Sequence, residues 1–157
     1  MRRLLRSFFK RSLIAACAAV LIGPGPQVLA AGARVSVTEA WIRWLPGGLP
    51  AGGYLTLHND GDEPVRLTGV TSASYGMTML HRSRLEGSVS RMEPVGEIVL
   101  SPHQTLTFAS GGYHIMLEQP VHPVQPGDHV TLTLHFADGS TLDAICAVRK
   151  PAAGGGE

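Results

Sequence analysis

Four residues of soft or borderline ligand type are spaced so that two strand elements could present them together. His81 and Met92 flank the turn signal Glu86-Gly87 symmetrically, and a two-residue hairpin there would place them directly opposite each other on one face. His114 and Met116 are two residues apart, so in a strand both side chains leave the same face. Two imidazoles and two thioethers suit Cu(I) better than Zn²⁺ or a hard cation.

The spacing alone leaves an ordinary structural interpretation of these residues open. A methionine in a strand is commonly a core residue, and a histidine is commonly a solvated or hydrogen-bonded one. Met77 and Met79 share strand parity with His81 and could form a secondary docking or relay site, but we expect them to pack in the core. The other five histidines adjoin turns or lie too far apart to ligate one ion together: His58, His103, His122, His129 and His135.

Motifs of catalysis and of nucleic-acid binding are missing from the sequence. There is no G-x-G-x-x-G, P-loop, H-E-x-x-H, C-x-x-C or G-x-S-x-G motif, and the carboxylates are scattered. Charged residues make up 16% of the chain, its formal net charge is +1, and no basic cluster interleaves with aromatics. We therefore expect neither an enzyme nor a nucleic-acid-binding protein.

Residues 1–30 predict a cleavable secretory signal. A basic start precedes the apolar run Ser12–Gly23, and small residues precede a cut after Ala30. The segment Ile14–Cys17 resembles a lipobox, but most of the apolar run follows Cys17, so we expect no lipid anchor there. Cleavage would remove five of the 13 basic residues and none of the 12 acidic ones, leaving 127 residues, a net charge of −4 and one cysteine.

The exported part reads as an all-β domain. Short runs with strand character are separated by turn signals such as Asn59–Asp62 and Gln125–Asp128, and no useful helical periodicity follows residue 31. Eight or nine strands at this spacing predict an antiparallel sandwich or barrel. The domain would cover residues 31–150, followed by a disordered tail over 151–157. Cys146 lies in an apolar run and is predicted to be a small buried hydrophobe.

The spacing H-x10-M-x21-H-x-M resembles that of the PCu(A)C family of periplasmic copper chaperones. Flanking text agrees, including AWIR from Ala40, AGGYLTL from Ala51 and GGYHIML from Gly111. The resemblance covers roughly Ala40–Arg149. It implies a periplasmic protein with a cupredoxin-like antiparallel β-sandwich of Greek-key type. It also implies a Cu(I) site formed by four ligands: His81, Met92, His114 and Met116.

The resemblance further implies that copper is delivered toward the CuA centre of cytochrome c oxidase, on subunit II, directly or alongside a Sco-type protein. The tail has neither histidine nor methionine, so we expect one copper per chain, and we expect a monomer. Three alternatives stay open: copper sequestration or tolerance, a cupredoxin-type electron carrier using Cys146 as thiolate, and a metal-free binding or adhesion sandwich. A chaperone's site should be shallow, since an acceptor's ligands must reach the ion.

Overall fold

The computed structural model describes residues 30–87 and 89–151, and these form ten β-strands and one short 3₁₀ helix, Ala31–Arg34. Cys17, nearly all of the predicted signal and all but the first residue of the predicted tail lie outside the described residues. No helix in the described ranges is long and apolar enough to cross a membrane. The strands are β1 Val35–Arg43, β2 Ala51–Asn59, β3 Val65–Thr71, β4 Tyr75–Glu86, β5 Val89–Pro94, β6 Ile98–Leu100, β7 Thr105–Thr107, β8 Tyr113–Pro120, β9 His129–Phe136 and β10 Thr141–Arg149.

The strands follow the order β5-β4-β8-β2-β1-β10-β9-β3-β6, and β7 pairs with β2 beyond the end of β8. Within the described ranges, β1 and β10 are parallel and the other paired strands are antiparallel. The predicted all-β antiparallel class is confirmed. The strands number ten rather than eight or nine because β6 and β7 are separate three-residue strands.

The two halves of this strand order pack face to face around one core. A side chain at Gly53 of β2 would come within 3.4 Å of the Leu132 side chain of β9, so those strands approach each other across the interior. The Thr78 hydroxyl of β4 donates to the Val70 carbonyl of β3 and joins the halves at another edge. Alternating residues such as Leu80 and Ile115 are buried on the inner face, which leaves their neighbours on the outer face.

The β4–β5 hairpin has a different register from the predicted one. Glu86 pairs with Val89, so the two-residue loop begins at Gly87, whose φ of 65° suits a tight hairpin turn. Met92 therefore lies opposite Ser83, and the prediction that Met92 lies directly opposite His81 is wrong. Each pairing moves by two residues, which preserves the face, so His81 and Met92 are diagonal neighbours on the same side.

The first described residues are docked on the turn between β9 and β10. The Ala31 amide donates to the Asp138 carboxylate at 2.6 Å, and the Gly32 amide donates to the Ser140 hydroxyl at 2.8 Å. A side chain at Gly32 would come within 2.6 Å of the Thr141 carbonyl oxygen, so this close approach requires glycine. Hydrogen bonds to the Asp138 carboxylate lower its pKa to about 2; the bond from the Ala31 amide contributes most, followed by those from the hydroxyl and amide of Ser140.

Candidate metal centre

Two of the predicted ligands face each other across the β4–β8 ladder. His81 pairs directly with His114, and their rings meet edge to face with centroids 5.8 Å apart. One step along the same face, Met79 pairs directly with Met116. The ladder therefore brings two imidazoles and two thioethers together on the outer side of the sheet, with paired Cβ atoms about 5 Å apart.

Each of these histidines keeps a ring nitrogen that makes no hydrogen bond. His114 Nδ1 lies 3.1 Å from the Gly112 carbonyl oxygen, which can only accept, so Nδ1 carries the proton and Nε2 has a free lone pair. His114 Nε2 and His81 Nδ1 are both buried without a partner. An unpaired buried acceptor costs free energy, and a cation bound between the rings would remove that cost for both.

Three other histidines in the described part of the chain have polar partners. His58 Nδ1 bonds the Thr105 hydroxyl at 2.8 Å, His103 Nε2 lies 3.0 Å from Asp62, and His135 Nε2 bonds the Thr71 hydroxyl at 2.7 Å. The partners of His58 and His103 fit their predicted positions beside turns, and His135 is bonded to a hydroxyl rather than placed beside another histidine. The opposed pair on β4 and β8 differs from them in its unsatisfied nitrogens.

The electrostatics of the pair favour neutral imidazole at His81. Burial lowers the pKa of His81 below its ordinary value of 6.5, and the nearby His114 lowers it further, while Glu118 acts weakly in the opposite direction. A lowered pKa keeps the ring unprotonated and able to donate its lone pair to a soft cation.

Met92 and Met116 border a shallow cavity of about 180 Å³ together with His114. Ser83, buried and directly opposite Met92, lines the same cavity and leaves room for the longer side chain. Met92 is 59% exposed, because β5 is solvent-accessible along its whole length. The structure thus brings Met92, His114 and Met116 to one opening and places His81 beside them, near the surface.

Met77 and Met79 do not pack in the core, and that prediction is wrong. Met77 is 38% exposed and Met79 is half-buried, while Leu80 between Met79 and His81 points inward. The strand alternation that sends Leu80 to the core sends both methionines to the face of the histidines. Both methionines therefore lie on the same face of β4 as His81.

The far wall of the cavity contains residues that the sequence analysis did not assign to the site. Gly52 pairs with Met116, and a side chain there would come within 2.8 Å of the Tyr54 hydroxyl, which reaches back over it. The Tyr54 ring lies 4.7 Å from that of Trp41, and the Arg43 guanidinium lies 5.6 Å from the Tyr54 ring centre. The sequence segment AGGYLTL does not indicate that its residues line the cavity, because this position depends on the pairing of β2 with β8.

Cys146 is apart from this arrangement. It is fully buried in the core from β10, as predicted, its thiol lies 3.6 Å from the Ala144 carbonyl oxygen, and burial raises its pKa to about 11. A thiol with that pKa is not a ready thiolate ligand. In the described ranges no group of three or more histidine, cysteine, aspartate or glutamate side chains could hold a metal ion.

Comparison with known proteins finds a matching family model, a relative in sequence and similar solved structures. Residues 35–148 match the family model described as "Putative lipoprotein LpqE-like". The chain is 31% identical over 116 residues to "Putative lipoprotein Lxx21020" of Leifsonia xyli, covering 73% of this chain and 69% of that protein. It resembles the solved copper-bound PCuAC domain from PmoF2, with 27% identity, a TM-score of 0.63, and coverage of 78% of this chain and 97% of that domain. It also resembles the solution structure of Cu(I)-DR1885 from Deinococcus radiodurans, with 30% identity, a TM-score of 0.61, and coverage of 79% and 86%.

Proposed function

Since the chain belongs to the LpqE-like family, which is the family of PCuAC domains, we propose that it is a copper chaperone carrying one Cu(I) as cargo on His81, Met92, His114 and Met116. The resemblance drawn from the sequence is confirmed, and so is the cupredoxin-like β-fold. The Cu(I) cargo is supported by the two similar structures, one described as copper-bound and the other as containing Cu(I).

The observation that carries the proposal is the pair of opposed imidazoles, each of which has a buried ring nitrogen without a hydrogen-bond partner. His81 Nδ1 and His114 Nε2 lack partners, their rings are 5.8 Å apart, and Met116 shares their face. Two borderline imidazoles and soft thioethers match the preferences of Cu(I). In an oxidising compartment such a set cannot be lost to a disulfide, as paired thiolates could.

The exposure of the site supports a transfer function. Met92 is on an edge strand that solvent reaches from end to end, so it is the ligand that an acceptor could replace first. His114 is 6% exposed and is held by its hydrogen bond to Gly112, so we expect it to release copper last. Stepwise exchange of ligands would then pass the ion without releasing it to solvent.

The ligand set is tested by matched leucine substitutions. Met92→Leu should lower the affinity for the first equivalent of Cu(I) by roughly tenfold or more. Anaerobic competition with a Cu(I) chelator measures this affinity. Met77→Leu replaces a methionine on the same face but outside the proposed set, and it should leave that first affinity unchanged. Equal effects of the two substitutions would contradict the ligand assignment.

The acceptor proposed from the family resemblance is the CuA domain of cytochrome c oxidase subunit II, or a Sco-type protein acting with it. The experiment is anaerobic mixing of the Cu(I)-loaded protein with each isolated acceptor, followed by measurement of copper on both after separation. Transfer to either acceptor supports delivery. Retention of copper against both would instead favour sequestration, the alternative left open by the sequence.

Export is supported by the lipoprotein descriptions of the family and of the relative from Leifsonia xyli. We propose a periplasmic protein, cleaved after Ala30 and without lipid at Cys17. Fractionation and intact mass of the mature protein test this. A chain that begins at Ala31 is expected, whereas a lipidated chain that begins at Cys17 would contradict the proposal.

A further inference from the structure

The outer face of the β4–β8 ladder continues beyond the proposed ligands as a row of thioethers. Met79 pairs directly with Met116, and Met77 follows two residues along β4 on the same side. Paired Cβ atoms lie about 5 Å apart and diagonal ones about 7–8 Å apart, and a methionine side chain with three rotatable bonds can close such gaps. Three sulfur atoms can therefore converge at one point on this face.

Neither methionine on β4 is required there by packing. Met77 is 38% exposed and Met79 is half-buried, and neither belongs to the buried core. An exposed strand position is usually served by a polar or β-branched residue. Two thioethers in alternate positions that lead toward His81 therefore lie outside the buried core, and their donor chemistry suits a soft monovalent cation.

A carboxylate lies beside this row. Glu118 pairs directly with Met77, is half-buried, and acts electrostatically on His81. Its negative charge would offset the charge of a cation bound to neutral sulfur ligands, which cannot do so themselves.

We infer that Met77 and Met79 form a second, weaker Cu(I) site that loads the histidine site, with Met116 as its third ligand while the histidine site is empty. The inference rests on the proposed function, because Met116 belongs to both sites. Copper arriving at exposed Met77 would move along β4 by exchange of one thioether at a time and reach the histidines through Met116. No bond other than metal–ligand bonds is made or broken, and the ion remains Cu(I).

The test is an anaerobic titration of the purified protein with Cu(I), with Ag(I) as a redox-inert probe, followed by native mass spectrometry and by NMR of methionine methyl groups. The first equivalent should shift the methyl signals of Met92 and Met116, and the second should shift those of Met77 and Met79. The double variant Met77→Leu, Met79→Leu should lose the second equivalent and keep the first with its affinity unchanged. Leucine is close in volume, so the fold should be retained.

The opposite variant separates the two proposals. His81→Gln with His114→Gln should abolish tight binding and leave the thioether site able to bind one ion that shifts Met77 and Met79. The second site is refuted if wild-type protein binds a single equivalent with Met77 and Met79 unshifted, or if the double leucine variant keeps its second equivalent. If the histidine site is wrong, the affinity for the first equivalent of Cu(I) will instead be unchanged by the two histidine substitutions.

Discussion

At the scale of single residues, the site depends on which ring nitrogens are left without a proton or a partner. The Gly112 carbonyl fixes the tautomer of His114, and burial with the neighbouring imidazole keeps His81 neutral. Both effects prepare lone pairs before any ion arrives, so copper does not have to displace a hydrogen bond within the protein.

This arrangement predicts a specific pH dependence of copper binding. Because the pKa of His81 is lowered from 6.5, proton competition at that ligand should begin at a lower pH than for an ordinary histidine. Protonation of His81 should therefore weaken the first Cu(I) affinity only below pH 6.5, by about tenfold per pH unit once that ring must lose a proton to bind. Competition titrations from about pH 8 to about pH 4 measure this. An affinity that does not change down to the lowest pH would argue against histidine ligation.

A second residue-scale prediction concerns the wall of the cavity. Gly52→Ala would place a methyl group 2.8 Å from the Tyr54 hydroxyl, and Tyr54 is held between Trp41 and Arg43. The ring must shift, at a cost of about 1–3 kcal/mol in unfolding free energy. Chemical denaturation measures the cost, with Gly69→Ala as the control because its added methyl meets no atom within 4 Å. Equal stability of the two variants would show that Tyr54 moves freely.

At the scale of elements, the β4–β5 hairpin determines where Met92 lies. Its loop begins at Gly87, whose positive φ of 65° is costly for residues with a side chain, and β5 otherwise has no buried residue to fix its register. The turn therefore sets the position of a proposed ligand five residues away.

The prediction is that Gly87→Ala weakens both the hairpin and copper binding. Strain at positive φ should cost about 1 kcal/mol, and the first Cu(I) affinity should decrease as Met92 becomes less ordered. Gly96→Ala is a matched control, since neither added methyl meets an atom within 4 Å and no positive φ is found at Gly96. Thermal unfolding with and without Cu(I) measures both effects. If the two variants have the same thermal stability and the same Cu(I) affinity, the turn at Gly87 does not determine the position of Met92.

The sequence predicted most elements but not the pairing between them. Alternation of apolar residues predicts strands over Tyr113–Leu117 and His129–Phe136, close to the observed β8 and β9, because burial on one face forces period two. The opposition of His81 and His114 was not predicted, since it depends on the register between β4 and β8, which are separated by three other strands along the chain. The outward position of Met77 and Met79 was missed for a related reason: parity groups residues on one face but does not show which face meets the core.

At the scale of the whole molecule, the buried core and the proposed copper ligands lie on opposite faces of the same sheet. Leu80 and Ile115 fill the interior, while His81, His114 and Met116 occupy the outer side. The core can therefore be altered without removing a donor from the site.

Cys146 provides the corresponding test. Cys146→Ala should cost about 1 kcal/mol by leaving a small void, while Leu132→Ala, in the interior opposite Gly53, should cost about 2–5 kcal/mol. Copper stoichiometry and first affinity should be unchanged in the cysteine variant. Loss of copper from that variant would revive the electron-carrier alternative, in which a thiolate binds the metal.

The docking of Ala31 on Asp138 predicts an acid-sensitive contribution to stability. The pKa of Asp138 is lowered from 3.8 to about 2, so this contribution is present above the ordinary value and is lost as the pH falls through about 2. Asp138→Asn should remove that part of the acid dependence of unfolding, while Asp143→Asn on β10, where the carboxylate accepts from Thr133, should remove less. If the two variants unfold with the same pH dependence, the contact between Ala31 and Asp138 does not contribute to the acid sensitivity of folding.

The same contact gives the predicted processing step a physical consequence inside the domain. Cleavage after Ala30 would turn the Ala31 amide, 2.6 Å from the Asp138 carboxylate, into an ammonium group, and it would remove the Ala30 carbonyl that accepts from the Ala33 amide. A hydrogen bond from a neutral amide to a carboxylate would become an ion pair between an ammonium group and that carboxylate, at the point where the chain enters the sandwich. Cleavage of the signal would then fix the new N-terminus to Asp138 through an ion pair. Because salt screens ion pairs, the attachment of this terminus would weaken as ionic strength rises, which is not expected to the same degree in the precursor.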